Sequence, residues 1–120
     1  MDIFIPGELP GLNKVIDANR TNRYRGASVK RRTTDSVMMI LLAQRVIPLP
    51  DVTHIWEFTW TCRDRRRDPD NIASAVKFVF DGMIAAGVIR NDGWKQVAEI
   101  HHLFEVGPDV GVRVQAVPTL

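Results

Sequence analysis

Between His54 and Cys62 the residues Trp56, Phe58, Trp60 and Cys62 alternate with Ile55, Glu57, Thr59 and Thr61. A period of two with one strongly apolar face is the pattern of a half-buried β-strand, so this segment must lie against a core layer. The strand runs directly into a cluster of arginines and then into Asp68-Pro69-Asp70-Asn71. Proline suits the first turn of a helix and Asp or Asn suits its cap, which predicts a helix from here to about Ala86, stopped by Gly87. Ile72, Val76, Val79, Phe80 and Met83 recur at helical spacing and form its expected core side.

The remaining elements are read around this strand and helix. Ile3-Phe4-Ile5 before Pro6-Gly7 predicts a short strand ended by a turn, and residues 6 to 14 are expected to be irregular. Asn19 to Lys30 is polar, basic and marked by Gly26, and reads as a loop, ordered or mobile without a ligand. From about Ser28 to Arg45 the composition favours helix. Val37, Met38, Ile40, Leu41 and Leu42 cover most of its circumference, which suits either an ordinary core helix or contact with a second copy of the chain. Pro48 and Pro50 end it. A second alternating stretch is expected from about Val97 to Val106, with Ile100, Phe104 and Val106 on one face. Gly107-Pro108-Asp109 then turns the chain into a last strand carrying Val110, Val112, Val114 and Ala116, expected to pair back as a hairpin. The order strand, helix, strand, helix, strand, strand predicts a two-layer α+β fold. With 120 residues, 45% of them hydrophobic, a single domain over 1–120 is expected.

No apolar run approaches the roughly 20 residues of a membrane span, and the first residues lack the layout of a signal peptide, so a soluble, cytoplasmic protein is expected. Cys62 is the one cysteine, which excludes internal disulfides and cysteine-based zinc clusters, and it is expected to be a small buried residue. His54, His101 and His102 have no ligand partner at useful spacing and read as structural. Trp56 and Trp60 belong to the core; Trp94 is ambiguous.

Net charge is only +2, but ten of the sixteen Lys and Arg residues sit in two short segments. Arg20, Arg23, Arg25, Lys30, Arg31 and Arg32 make the first, with no acid between Ala18 and Thr34. Arg63, Arg65, Arg66 and Arg67 make the second, relieved only by Asp64. Such density is either a solvated charged surface or a site for a polyanion, since every phosphate neutralised releases counterions from nucleic acid.

Asp68 and Asp70 leave one strand end together, and Asp92 follows the next helix in a loop that can return to the same edge. Converging carboxylates repel: two unit charges about 4 Å apart interact by roughly 4 kcal/mol at an effective dielectric near 20, so the cluster needs a cation. Hard oxygen donors beside a phosphate-binding surface point to magnesium, with manganese as substitute. Such an ion polarises a phosphoryl oxygen and lowers the pKa of an attacking water, the chemistry of phosphodiester hydrolysis. Asp70, Ser74, Lys77 and Asp81 fall along one helical stripe, so Lys77 either stabilises phosphate charge or pairs with Asp81.

Several ordered motifs together resemble the RusA-type Holliday junction resolvases, the crossover junction endodeoxyribonucleases of bacteria and phages. They are Arg65-Arg66-Arg67-Asp68-Pro69-Asp70-Asn71, Lys77 with Phe80-Asp81-Gly82, and Ala86-Gly87-Val88 leading to Asn91-Asp92-Gly93-Trp94. Pro10-Gly11-Leu12-Asn13 and the basic segment extend the likeness over most of the chain. The resemblance implies a RusA-like mixed sheet packed against helices and a homodimer that cuts a four-way junction symmetrically with magnesium, in DNA recombination and repair. It implies metal binding by Asp68, Asp70 and Asp92 and a catalytic role for Lys77. Two departures stand out. Lys77 lies further from Asp70-Asn71 than in some members, and Asn91 occupies a place where an acid also occurs. No small-molecule cofactor is expected, and the basic residues Arg20, Arg23, Arg25, Lys30, Arg31, Arg32, Arg65, Arg66 and Arg67 are expected to grip DNA. The competing reading is a branched-DNA-binding protein without catalysis, and a third is a nuclease of flaps or forks.

Overall fold

The alternation from His54 to Cys62 is satisfied by a four-stranded mixed sheet with its helices gathered on one face, an α+β arrangement. The computed structural model describes residues 1–119. Strand β1 (Asp2–Pro6) is followed by helices α1 (Leu12–Thr21) and α2 (Arg23–Ala43), strand β2 (His54–Cys62), helices α3 (Pro69–Ala73) and α4 (Val76–Ala85), and strands β3 (Val97–Val106) and β4 (Gly111–Pro118). Trp56 and Phe58 pack edge-on against Phe80 of α4 at 5.2 and 5.5 Å between ring centroids. Ile5, Val112 and Val114 bury on the same side, together with Val37 and Leu41 of α2 and Val79 and Met83 of α4. Among the described residues no helix is long and apolar enough to cross a membrane.

The expected hairpin between the last two strands does not form. Strand order is β1-β4-β2-β3, so β4 lies between β1 and β2, antiparallel to both, while β3 runs parallel to β2 on the outside. Burial explains the choice. Val112, Val114 and Ala116 present a clean apolar face that must lie under the helices, whereas β3 carries Glu99, His101 and Glu105 and tolerates an edge. Ile100, Phe104 and Val106 share a face as expected, but all three stay 40–48% exposed because the helices do not reach over β3.

Residues 7 to 11 are irregular as expected, but 12 to 14 and, apart from Asn22, 19 to 30 are helical. Leu12 begins α1, and the basic stretch is the corner of a helical hairpin. Arginine and lysine are good helix formers, and Asn22 caps α2 by accepting a hydrogen bond from the Arg25 N–H at 2.7 Å. Gly26 is a contact residue rather than a loop marker: a Cβ there would collide with the Asn19 side chain of α1. Helix α2 therefore starts at Arg23, five residues before its expected start, and ends at Ala43, where Arg45 turns left-handed (φ 54°). Of its apolar residues Val37 and Leu41 are buried, while Met39 and Leu42 face outward.

The helix expected from Asp68 to Ala86 is broken at Ser74-Ala75. The Ser74 hydroxyl donates to the Asn71 carbonyl at 2.5 Å, a local bond that competes with the helical ladder. Cys62 is half-buried where full burial was expected. His54 is buried, with Nδ1 2.7 Å from the Val52 carbonyl.

Trp60 donates its indole N–H to Nδ1 of His102 at 2.9 Å, which requires that nitrogen unprotonated, and burial holds the imidazole below its ordinary value of 6.5. Because the folded state resists protonation, its stability is complete above the unfolded pKa and falls as pH drops below it. The urea midpoint is predicted to fall from about pH 7 to about pH 5, and His102→Gln, which keeps an acceptor, to flatten that fall. An unchanged slope in the variant would assign the pH dependence elsewhere.

Candidate functional site

The first N–H groups of a helix have no partner within it, and in α1 they are met by side chains from α3 and the residue that follows it. Leu12 N–H donates to Ser74 Oγ at 2.7 Å and Asn13 N–H to Asn71 Oδ1 at 3.0 Å. Gly11 lies so close to Asn71 that a Cβ would collide with both its side chain and its carbonyl. Pro10-Gly11-Leu12-Asn13 is thus the seat by which the basic hairpin locks onto the segment after Asp70. Asn71 and Ser74 were not singled out from sequence as site residues. Their signal was a polar side chain directly after the helix start and another on the stripe that leads to Lys77.

Lys77 sits between two carboxylates, its Nζ 2.9 Å from Asp92 and 3.1 Å from Asp81. The hydrogen bond to Asp92, then that to Asp81, raises the Lys77 pKa above its usual 10.5. The side chain is therefore an ammonium at any physiological pH, a fixed positive charge and not a base. Of the two sequence readings of Lys77, the i,i+4 pair with Asp81 is formed, and beside it stands a link to Asp92 that neither reading named. The loop that presents Asp92 is pinned by buried Gln96, which accepts from Gly93 N–H at 3.2 Å and donates to Asp51 at 3.1 Å. Asp92 is largely shielded, its side chain 19% exposed, while Trp94 two residues on is 96% exposed.

Asp68 and Asp70 are exposed at the start of α3. Asp70 Oδ1 accepts from Asn71 N–H at 2.9 Å, and the Asp68 side chain makes no capping bond. The convergence expected for Asp68, Asp70 and Asp92 is not seen: among the described residues no three His, Cys, Asp or Glu side chains form a group that could hold a metal ion. The donor type suits a hard cation, but a three-carboxylate cage does not fit this arrangement. In it, the counter-charge of Asp92 is the Lys77 ammonium.

The cations distribute in two ways. Arg20, Arg23, Arg25, Lys30, Arg31 and Arg32 are exposed along the α1–α2 hairpin, and no ion pair among the described residues engages them. In the second segment Arg65 is exposed, but Arg66 pairs with Asp64 at 3.8 Å and Arg67 with Glu8 at 3.1 Å. The stripe read from sequence survives from Ser74 to Asp81. Ser74, Lys77 and Asp81 of one wall line a cleft of about 590 Å³ with Lys30, Arg31 and Asp35 of α2, while Asp70 falls outside it. The structure therefore brings together Lys30, Arg31, Ser74, Lys77 and Asp81, with Asp92 joined through Lys77.

Neither protein-family models nor curated proteins gave a match to this chain.

Ser74→Ala is predicted to leave the Leu12 N–H without its acceptor and to cost about 1 kcal/mol in urea unfolding. Gly11→Val should cost more, since its side chain must displace the Asn71 backbone. Amide exchange across Leu12–Thr21 should accelerate in both. Exchange unchanged in α1 would show that the seat does not hold the hairpin.

Proposed function

We propose that the protein is a magnesium-dependent endodeoxyribonuclease of RusA type that hydrolyses phosphodiesters in four-way junctions and related branched DNA. The observation that carries this reading is the cleft in which Lys30 and Arg31 face Lys77, with Asp81 and Asp92 on either side of the ammonium. A phosphate entering there meets three cations from two helices beside the carboxylates Asp35 and Asp81, and the arginines of the hairpin, in no ion pair among the described residues, continue the positive surface away from the site. Phosphate contacts of this kind position a duplex without reading its sequence, which suits a target defined by its branch.

In this reading Lys30 and Arg31 hold the backbone. Lys77, kept charged, stabilises negative charge as it builds on the phosphoryl oxygens, and Asp92 aims the ammonium. Magnesium, with manganese as substitute, is the cofactor this reading calls for, with Asp92 and the exposed pair Asp68 and Asp70 as its candidate carboxylates; they do not form one cage here, and no step is routed through the ion. Two protomers match the two equivalent strands of a junction, so a homodimer is part of the proposal. A role in DNA recombination and repair, inside a bacterial or phage-infected cell, follows from the same substrate.

A second reading has an observation of its own. The scattered carboxylates are what a branched-DNA-binding protein without catalysis would tolerate. The two separate on a synthetic four-way junction incubated with purified protein and magnesium. The nuclease reading predicts paired symmetric nicks, lost in Asp70→Asn with binding retained. It also predicts turnover reduced about 10²–10³-fold in Lys77→Met, the scale of removing one preorganised charge donor. A junction bound tightly but left uncut by the wild type would establish the binder, and flaps and forks run alongside would show which branch is preferred.

Two measurements stand apart from turnover. If about six cations contact phosphates, log affinity should fall against log salt with a slope of about −5, and a flat response would remove backbone binding from the account. Trp94, exposed and two residues from Asp92, reports on the cation: its fluorescence is predicted to be quenched by manganese in the wild type and not in Asp92→Asn. Equal quenching in both would detach Asp92 from metal binding.

A further inference from the structure

Strand β3 has β2 on one side and no strand on the other among the described residues. Proteins blunt an open edge with short strands, charged side chains (lysine above all), proline or a bulge, because unpaired backbone groups there will pair with another chain. The opposite edge follows that rule, since β1 has five residues and ends in Pro6. β3 follows it only in Glu99 and Glu105. It is ten residues long, has no Lys, Arg or Pro, and its one irregularity lies at its start, beside the His54–Ile55 step of β2. Its exposed side chains include Ile100 (41%), Leu103 (51%), Phe104 (40%) and Val106 (48%), which lie on both faces.

The strand is also complementary to itself. A two-fold axis perpendicular to the sheet keeps every side chain on its own face, so an antiparallel pair of β3 strands can centre on His101, on His102 or on Leu103. Centring on His102 sets Glu99 against the partner's Glu105, a like-charge pair repeated by symmetry. Centring on His101 draws the irregular start into the pairing and places Glu99 against Leu103. Centring on Leu103 places Ile100 opposite Val106, His102 opposite Phe104 and His101 opposite Glu105, with Leu103 meeting its own copy. All of these pairs are apolar, aromatic or of complementary polarity, the combinations that stabilise neighbouring strands.

We infer that two copies of the chain associate through their β3 edges, antiparallel about a two-fold at Leu103, and so join two sheets into one. This rests on the two-protomer part of the function proposed above and is independent of catalysis.

The test uses the full chain carrying Cys62→Ala. Single variants His101→Cys, His102→Cys and Leu103→Cys are oxidised mildly, and only Leu103→Cys should give a disulfide-linked dimer. By sedimentation the wild type should be dimeric. Leu103→Lys, at a half-exposed position on the solvent side, should stay folded by circular dichroism while its monomer–dimer midpoint rises about tenfold or more, because it places a charge against its own copy. His101→Glu should weaken the dimer and His101→Glu with Glu105→Lys should restore it. A protein monomeric with and without junction DNA overturns the inference. So does a dimer indifferent to Leu103→Lys but split by Met39→Lys on α2, and cross-linking through position 101 or 102 overturns the register. The junction assay keeps the two proposals apart: a β3-paired dimer that does not cut removes the nuclease alone, and a monomer that cuts removes the pairing alone.

Discussion

Two hydrogen bonds, from Leu12 N–H to Ser74 and from Asn13 N–H to Asn71, join the basic hairpin to the helices beneath the carboxylates. Each satisfies a helix-start donor that would otherwise need water. Their consequences spread in both directions. On one side they set where α1 begins and hence where the arginine-bearing corner around Asn22 projects. On the other, Ser74 bonds to the Asn71 carbonyl while it accepts from Leu12, the helix breaks after Ala73, and α4 restarts at Val76 with Lys77 on the wall of the cleft that Lys30 and Arg31 also line. The cleft is the space left between these two tied elements.

Charge within the cleft is balanced at short range and unbalanced at long range. Lys77 is matched by Asp81 and Asp92, so the ammonium is held in place as well as kept protonated. The hairpin cations have no such partners among the described residues and leave a positive field along α2, which acts over about a Debye length, ~8 Å at physiological salt. In the proposed function a polyanion is drawn by the second feature and met by the first. Arg66 and Arg67 contribute less to this field than their position in an arginine cluster suggests, because Asp64 and Glu8 already engage them.

How much of this was legible in the sequence depended on whether the deciding interaction was local. The alternation around Trp56, Phe58 and Trp60 identified β2, and the run Val112, Val114, Ala116 identified β4, because burial on one face writes a period of two into the chain. Strand order was not legible: Gly107-Pro108-Asp109 signals a reversal, but whether the returning strand lies beside β3 or passes to the far side of β2 depends on which face the helices cover. The hairpin was missed because arginines with a glycine look like a loop when the partner of Gly26, Asn19 in another helix, is out of view. In the site, the spacing from Lys77 to Asp81 gave a true contact, and the link from Lys77 to Asp92 crosses a loop that no periodicity describes. The expected meeting of Asp68 and Asp70 with Asp92 rested on the loop after α4 returning to the end of β2, and in the fold Asp92 bonds to Lys77 instead.

The central claim is that the α1–α2 hairpin and the start of α4 form one surface for branched DNA. Amide hydrogen exchange with and without a synthetic four-way junction tests it most directly. The account predicts new protection concentrated in Asn19–Arg32 and around Ser74–Asp81, with little change along β1 and β4. Protection absent from both segments, or confined to the stretch Arg63–Arg67, would contradict it.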